Sequence, residues 1–192
     1  MNRLIGKIYL LQEFARKAFY KLFREPFIKA ALRSCGENVH IAEQCNFKGI
    51  GNISIGNGSS IGQGSVLWTT RANIVIEDKV FTGPNVTIIT GNHRTNLIGK
   101  YMADVSDSEK EASDDEDVII KKDVWIGANA VILKGVTIEE GCVIAAGAVV
   151  IKSTEPYGIY AGIPAIKVRD RFLADDLKLH LRAINADGQQ TL

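Results

Sequence analysis

Cysteine, proline and tryptophan are scarce in this chain of 192 residues, at three, four and two copies, and each scarcity removes an architecture. Cys35, Cys45 and Cys142 are too few and too scattered for a disulfide framework or a CxxC metal site, which points to a reducing compartment. Aromatics make up only 7% of a chain that is 46% hydrophobic, so the core must be mostly aliphatic. Long apolar runs are missing as well. The longest, Val143–Ile151, falls far short of the roughly 18–20 residues that span a bilayer. Nor is there a surplus of charge: 23 Lys and Arg face 22 Asp and Glu, and a net charge of +1 disfavours nucleic acid as a partner. Basic residues run through the N-terminus without a small-residue cleavage site, so no secretory signal is expected and the cytoplasm is the expected location. The length suits one domain.

What is present is unevenly placed. Residues 1–34 hold eight Lys and Arg against two Glu, whereas 35–192 hold fifteen basic and twenty acidic residues. Within the basic segment Leu4, Ile8, Leu11, Phe14, Ala18 and Leu22 recur at steps of three and four, which predicts an amphipathic helix. Pro26 should interrupt it, and Cys35-Gly36 should end whatever helix follows. Two roles fit such a segment: a cap over the end of the following domain, or a helix lying on an anionic membrane surface.

From Val39 the helical period gives way to a beat of six. Ile120, Ile126, Ile132, Ile138, Ile144 and Val150 form an unbroken series, and the fifth position of the same register holds Val124, Ala130, Val136, Cys142, Ala148 and Thr154. An earlier stretch follows the same rule with slips, through Ile41 and Phe47, then Ile55, Ile61 and Leu67, then Ile76, Thr82 and Ile88. Six is the period of neither a helix nor an alternating strand; it requires short strands separated by regular corners, with Gly or Asn relieving the backbone there. Three hexads close one turn of a triangular prism. Residues 39–92 then supply about three turns and 120–155 two, for a height of roughly 24 Å at about 4.8 Å per stacked strand.

Three stretches carry a resemblance: Gly83-Pro84-Asn85-Val86-Thr87 leading to Gly91-Asn92-His93-Arg94, then Asp123-Val124-Trp125-Ile126-Gly127, then Ala161-Gly162-Ile163-Pro164-Ala165. In this order on hexapeptide repeats, over roughly residues 39–172, the chain resembles the hexapeptide-repeat acyltransferases. Within them it is similar to the acetyl-CoA-dependent O-acetyltransferases of the maltose/galactoside, streptogramin and capsule or colanic-acid type. The resemblance implies an all-β core in the form of a left-handed parallel β-helix, with an N-terminal helical segment, one protruding loop and a C-terminal helix. The expected divisions are 1–38 as cap or membrane-contact segment, 39–169 as the acyltransferase domain with loop 94–117, and 170–192 as C-terminal helix and tail.

Of three histidines, only His93 stands where the repeat breaks, ahead of a stretch, Arg94–Asp117, without hexad register. Loops of that length inside compact domains are usually functional or disordered. An imidazole with an unperturbed pKa of about 6.5 can take a proton from an acceptor hydroxyl attacking an acetyl thioester, and backbone N–H groups of a neighbouring rung can hold the resulting oxyanion. The plain alternative is a surface histidine satisfied by water. Cys45 and Cys142 fall on inward positions, so direct transfer is expected rather than a covalent acyl-enzyme. A three-histidine zinc site, the rival on a prism of this kind, is not expected because His40 and His180 lie near opposite ends of the chain.

The resemblance further implies acetyl-CoA as co-substrate without a metal, and a homotrimer with its sites shared between neighbouring prisms. Trp125 and Ala128 would line the slot beside the thioester, Ala146 would offer backbone contacts, and Lys152 and Arg169 would approach the phosphates. After Ala165 related enzymes place a cation, whereas this chain has Ile166, which leaves Lys167 or Arg171 as substitutes. The expected acceptor is a saccharide used in surface polysaccharide synthesis, with a free sugar or a streptogramin-type drug as alternatives and a catalytically silent assembly module as the competing class. The acidic run from Asp104 to Asp117 reads as a solvated, mobile block, although Asp117 or Asp104 could orient His93.

Overall fold

The computed structural model describes the backbone of residues 2–189 and the side chains of 4–186; residue 1 and residues 190–192, at the ends of the two predicted terminal segments, lie outside the described residues. From Ser34 the chain runs as strands of two or three residues joined by corners, and every sixth residue turns inward. Three parallel sheets result, here faces A, B and C. Face A stacks Ser34–Cys35, Ile53–Ile55, Ile74–Ile76, Val118–Ile120 and Thr137–Ile138. Face B stacks His40–Ile41, Ser60–Ile61, Phe81–Thr82, Trp125–Ile126, Val143–Ile144 and Gly158–Gly162. Face C stacks Asn46–Lys48, Val66–Trp68, Thr87–Ile89, Val131–Ile132 and Val149–Val150. Five coils are complete and a sixth is partial.

Burial follows the beat. Ile120, Ile126, Ile132, Ile138 and Ile144 are fully buried, and so are Val124, Ala130, Cys142 and Ala148 of the second inward series. Each leading residue lies over its counterpart one coil away, as Ile126 over Ile144 and Ile132 over Val150. Burial of one such aliphatic side chain contributes about 1.5–3 kcal/mol. Thr82 takes an aliphatic place on face B, and its hydroxyl accepts the Gly62 N–H at 2.8 Å.

The corners obey one rule. At the turn from B to C, Gln44, Gly64, Asn85, Asn129 and Gly147 all have φ between 57° and 72°, and at the turn from A to B the series is Asn38, Gly58, Lys79, Asp123 and Gly141. These left-handed conformations favour Gly and Asn, which explains why those residues recur at the fourth hexad position. The slips in the early repeats all fall at the third corner, from C to A: Gly49–Asn52, Thr69–Asn73 and the long excursion of 90–117.

Both ends carry the helices that the sequence reading expects, with differences in detail. Helix α1 (Asn2–Phe19) continues through a π-helical turn (Tyr20–Arg24) into α2 (Glu25–Ala31), so Pro26 does not break the chain direction. Proline lacks an N–H and clashes with the carbonyl four residues back; the wider turn ahead of it, closed by the Glu25 N–H on the Tyr20 carbonyl, absorbs the misfit. That turn sets Tyr20 and Glu25 toward the first coil. The Tyr20 hydroxyl donates to the Ala42 carbonyl at 2.9 Å, and buried Glu25 accepts from the Ile41 N–H at 3.0 Å and pairs with Lys29 at 2.8 Å. Cys35 is strand rather than helix end, because the helix has already stopped at Ala31. At the other end the partial coil is followed by an antiparallel strand, Ala165–Asp170, and by α3 (Ala174–Gln189).

Candidate functional site

His93 stands at the root of the 90–117 loop on the C-to-A corner. Its approach is built by face C: Ile89 pairs with Trp68 one coil away, and the Thr90 N–H donates to the Trp68 carbonyl at 3.2 Å. The outgoing and returning arms then bond each other, with the Asn92 N–H on the Asp114 carbonyl at 2.7 Å and the Glu116 N–H on the Thr90 carbonyl at 2.9 Å. Arg94 is held by the Glu109 carbonyl at 2.7 Å and by Glu111 at 2.7 Å. Both neighbours of His93 are therefore fixed, while its own ring is exposed and no side chain among the described residues hydrogen-bonds it.

Asp104, Asp107, Glu111, Glu116 and Asp117 of the acidic run are exposed, as expected of a solvated block, but the run is pinned. Each carboxylate that matters has a partner that the sequence does not show to be near. Asp115, with its side chain 2% exposed, takes the Arg71 guanidinium at 2.5 Å and the Lys110 ammonium at 2.9 Å. Burial works to raise its carboxyl, but these two cations outweigh it and hold it below the usual carboxylate range. Glu109 caps the turn at Ser106 and pairs with Lys100, and hydrogen bonds from Lys100 and Ser106 push its carboxyl down to about 2. Glu116 pairs with Lys134 at 2.7 Å. Asp117 spends its oxygens on the Asn73 backbone and side chain, at 2.7–3.1 Å, so it does not orient His93, and no hydrogen bond joins Asp104 to His93 either.

Beside His93 opens a cavity of about 270 Å³, lined by Lys48, Trp68, Thr70, Asn92, Asp107 and Lys110 among others. Trp68 lies outward on face C with its ring held by an indole N–H bond to Asn46 at 3.0 Å. Sequence reasoning missed Trp68 and Lys48; their positions at the last residue of face C in successive coils would have placed them on the corner that carries His93.

Trp125 lies elsewhere. It is on face B, 47% exposed, and stacks on Phe81 one coil away with ring centroids 5.8 Å apart. Ala128 and Ala146 follow at the B-to-C corner in successive coils, where the Gly147 N–H bonds the Ala128 carbonyl at 2.8 Å. Packing there is tight: a Cβ on Gly127 would lie 2.5 Å from the Ala146 nitrogen, and one on Gly83 would lie 2.6 Å from the Ala128 nitrogen. Lys152 is exposed just past face C in the fifth coil, on the His93 corner, whereas Arg169 is exposed on the antiparallel strand of face B. Within one chain, then, His93 and Lys152 share one corner, and Trp125, Ala128, Ala146 and Arg169 belong to face B and its far corner. Ile166 is exposed, but Lys167 is tied between Glu155 and Asp170 at 2.7 and 2.8 Å, and Arg171 folds back onto Asp123 at 2.6 Å.

The thiols are removed from this surface. Burial pushes Cys142 up, with its Sγ near the Thr154 hydroxyl at 3.3 Å and the Glu155 carbonyl at 3.0 Å, and burial also raises Cys45. A thiol held protonated is a poor nucleophile.

A triangular coil of hexads with one exposed imidazole at the root of a pinned loop has the build of a hexapeptide transferase. Residues 117–152 match the bacterial transferase hexapeptide family (six repeats). A probable macrolide acetyltransferase of Lysinibacillus sphaericus is 34% identical over 56% of this chain and 68% of its own length. The galactoside O-acetyltransferase of Escherichia coli is 30% identical over 77% of this chain and 68% of its own. A hexapeptide-repeat acetyltransferase of Vibrio cholerae, solved with acetyl-CoA, superposes with a TM-score of 0.67 at 26% identity, over 80% of this chain and 79% of the other. The chain belongs to the hexapeptide-repeat acyltransferases, and its coil is their left-handed parallel β-helix. It is an acyltransferase.

Proposed function

We propose that the protein transfers acetyl from acetyl-CoA to a hydroxyl of a saccharide, with His93 as general base. The observation that carries this reading is the placement of His93: an exposed ring without side-chain partners, between two immobilised neighbours, at the mouth of a cavity that Trp68 borders. Neutral imidazole takes the acceptor proton as the oxygen attacks the thioester carbonyl. The tetrahedral oxyanion collapses, the acyl–oxygen bond remains, the carbon–sulfur bond breaks, and the proton passes to the departing thiolate. Among the described residues no cysteine lines the His93 cavity, and Cys142 is buried, which supports transfer without an acyl-enzyme.

The donor reading draws on the B-to-C corner, where the small side chains of Ala128 and Ala146 would let a thin pantetheine arm lie along the outside of the coils. Trp125 would lie beside the thioester, with Lys152 and Arg169 toward the phosphates. Because His93 and Trp125 occupy different edges of one prism, the reading requires a second copy to bring them together, as in a homotrimer. The outward rows of face C hold Val66, Trp68, Ile89, Val131, Val149 and Ile151 beside Asn46, Lys48 and Thr87, and their apolar members support such an association.

A saccharide fits the cavity because an aromatic face beside polar Lys48, Asn92 and Asp107 suits a sugar ring with its hydroxyls. A surface glycan precursor handled in the cytoplasm is the biological setting we favour. The Lysinibacillus relative favours a second reading, in which the acceptor is an antibiotic hydroxyl. Labelled acetyl-CoA offered with mono- and oligosaccharides, sugar nucleotides and macrolides separates the two: labelled ester on sugars alone supports the first, on macrolides alone the second, and none on either overturns both.

A further inference from the structure

We propose that α1 docks the protein on an anionic lipid surface. Residues Tyr20–Leu32 already cover the open end of the prism, through Tyr20 on Ala42, Glu25 on Ile41, the Lys29 ammonium on the Val39 carbonyl at 2.5 Å, and buried Leu32. Capping is thereby complete without α1, which leaves the prism with its apolar side bare. Leu4, Ile8 and Leu11 follow at steps of four and three along one line, and Leu11 and Phe14 are 68% and 71% exposed. On an ideal helix Lys7, which is exposed, falls between Leu11 and Phe14 at the edge of that line. The opposite side turns toward the prism, where Arg16 pairs with Glu13 and with Glu43 and where Lys17 and Lys21 border a pocket with Ala42 and Glu43.

An exposed apolar line with Lys7 at its edge, on a helix not apolar enough to cross a bilayer, is the form of an interfacial helix. Charge selects the lipid. The segment 1–34 carries six net positive charges, whereas 35–192 carries five net negative ones, so an acidic surface attracts the helix and repels the body. That polarity would hold the prism off the membrane with its coil axis end toward it.

The inference is independent of the acyl-transfer reading and is tested without it. The whole chain is mixed with vesicles of phosphatidylcholine alone or with a third phosphatidylglycerol, and the sedimented fraction is measured at 50 and 500 mM salt. The expected result is binding only to the anionic vesicles, at least tenfold weaker at high salt. Leu11→Glu should reduce it tenfold or more, and Leu4→Glu with Lys7→Glu should do the same. Circular dichroism and the sedimentation mass of each variant show that the fold persists, because no named substitution touches the capping contacts. Equal binding to neutral vesicles, or no binding at all, overturns the proposal. So does a fall in oligomer mass in Leu11→Glu, which would place the apolar line between copies of the chain.

Discussion

The Asp115 carboxylate fills the space that a Cβ on Gly91 would need, so the residue two before His93 is held against the returning arm of its own loop. Any side chain at 91 must displace Asp115 from Arg71 and Lys110. Gly91→Ala and Asp115→Asn are both expected to lower stability by about 1–3 kcal/mol, the scale of charge-assisted hydrogen bonds with one partner half exposed. They should also cut turnover through His93 more than they raise the Michaelis constant for either substrate. Denaturant midpoints and steady-state kinetics check this.

Acid should act on the same contact. The folded Asp115 carboxyl lies below its ordinary value, so its contribution is fully present above the unfolded pKa of about 3.9 and is lost as pH falls through the folded one. The difference in melting temperature between the protein and Asp115→Asn should be constant from pH 7 to about pH 5 and shrink below pH 4. A difference that grows on acidification would refute the pairing as the source of stability.

Replacing His93 with Ala should reduce thiol release from acetyl-CoA by about 10²–10⁴ with the acceptor present, while melting temperature stays within a degree or two. Unchanged turnover would remove His93 from the mechanism. Its exposed ring makes no side-chain hydrogen bond whose loss would confuse the result.

The two tryptophans should separate by substrate. Trp68→Ala is expected to raise the Michaelis constant for the acceptor about tenfold and leave that for acetyl-CoA unchanged, because Trp68 lines the His93 cavity. Trp125→Ala should do the reverse, since it stacks on Phe81 on face B, away from the His93 cavity. The opposite pattern would exchange the two half-sites.

Ile138→Ala tests the coil itself. Its side chain is fully buried beside Ile120, and truncation should cost about 2–5 kcal/mol by leaving a cavity that the neighbouring rung cannot fill. Chemical denaturation measures it.

The coil was legible because its information is local. Inward Ile126 and Ile144 are eighteen residues apart with two strands between them, and the corner residues Asn129 and Gly147 carry their conformational preference alone. His93 was legible for a related reason, as an interruption of a regular pattern. The partners of the acidic loop were hidden: Arg71 and Asp115 are forty-four residues apart, and nothing in either stretch marks the other. The π turn ahead of Pro26 was hidden too, because it depends on Tyr20 and Glu25 finding the first coil.

By itself the order of residues determined that this chain winds into a three-sided column with aliphatic rungs, since hydrophobic period and backbone preference act over a few residues. The folded molecule alone decided that every insertion leaves at one corner, that charges far apart in the chain clamp the loop there, and that the imidazole and the stacked indole face out from different edges. Those outcomes rest on contacts between coils, whose partners are selected by stacking geometry and electrostatics rather than by proximity along the chain.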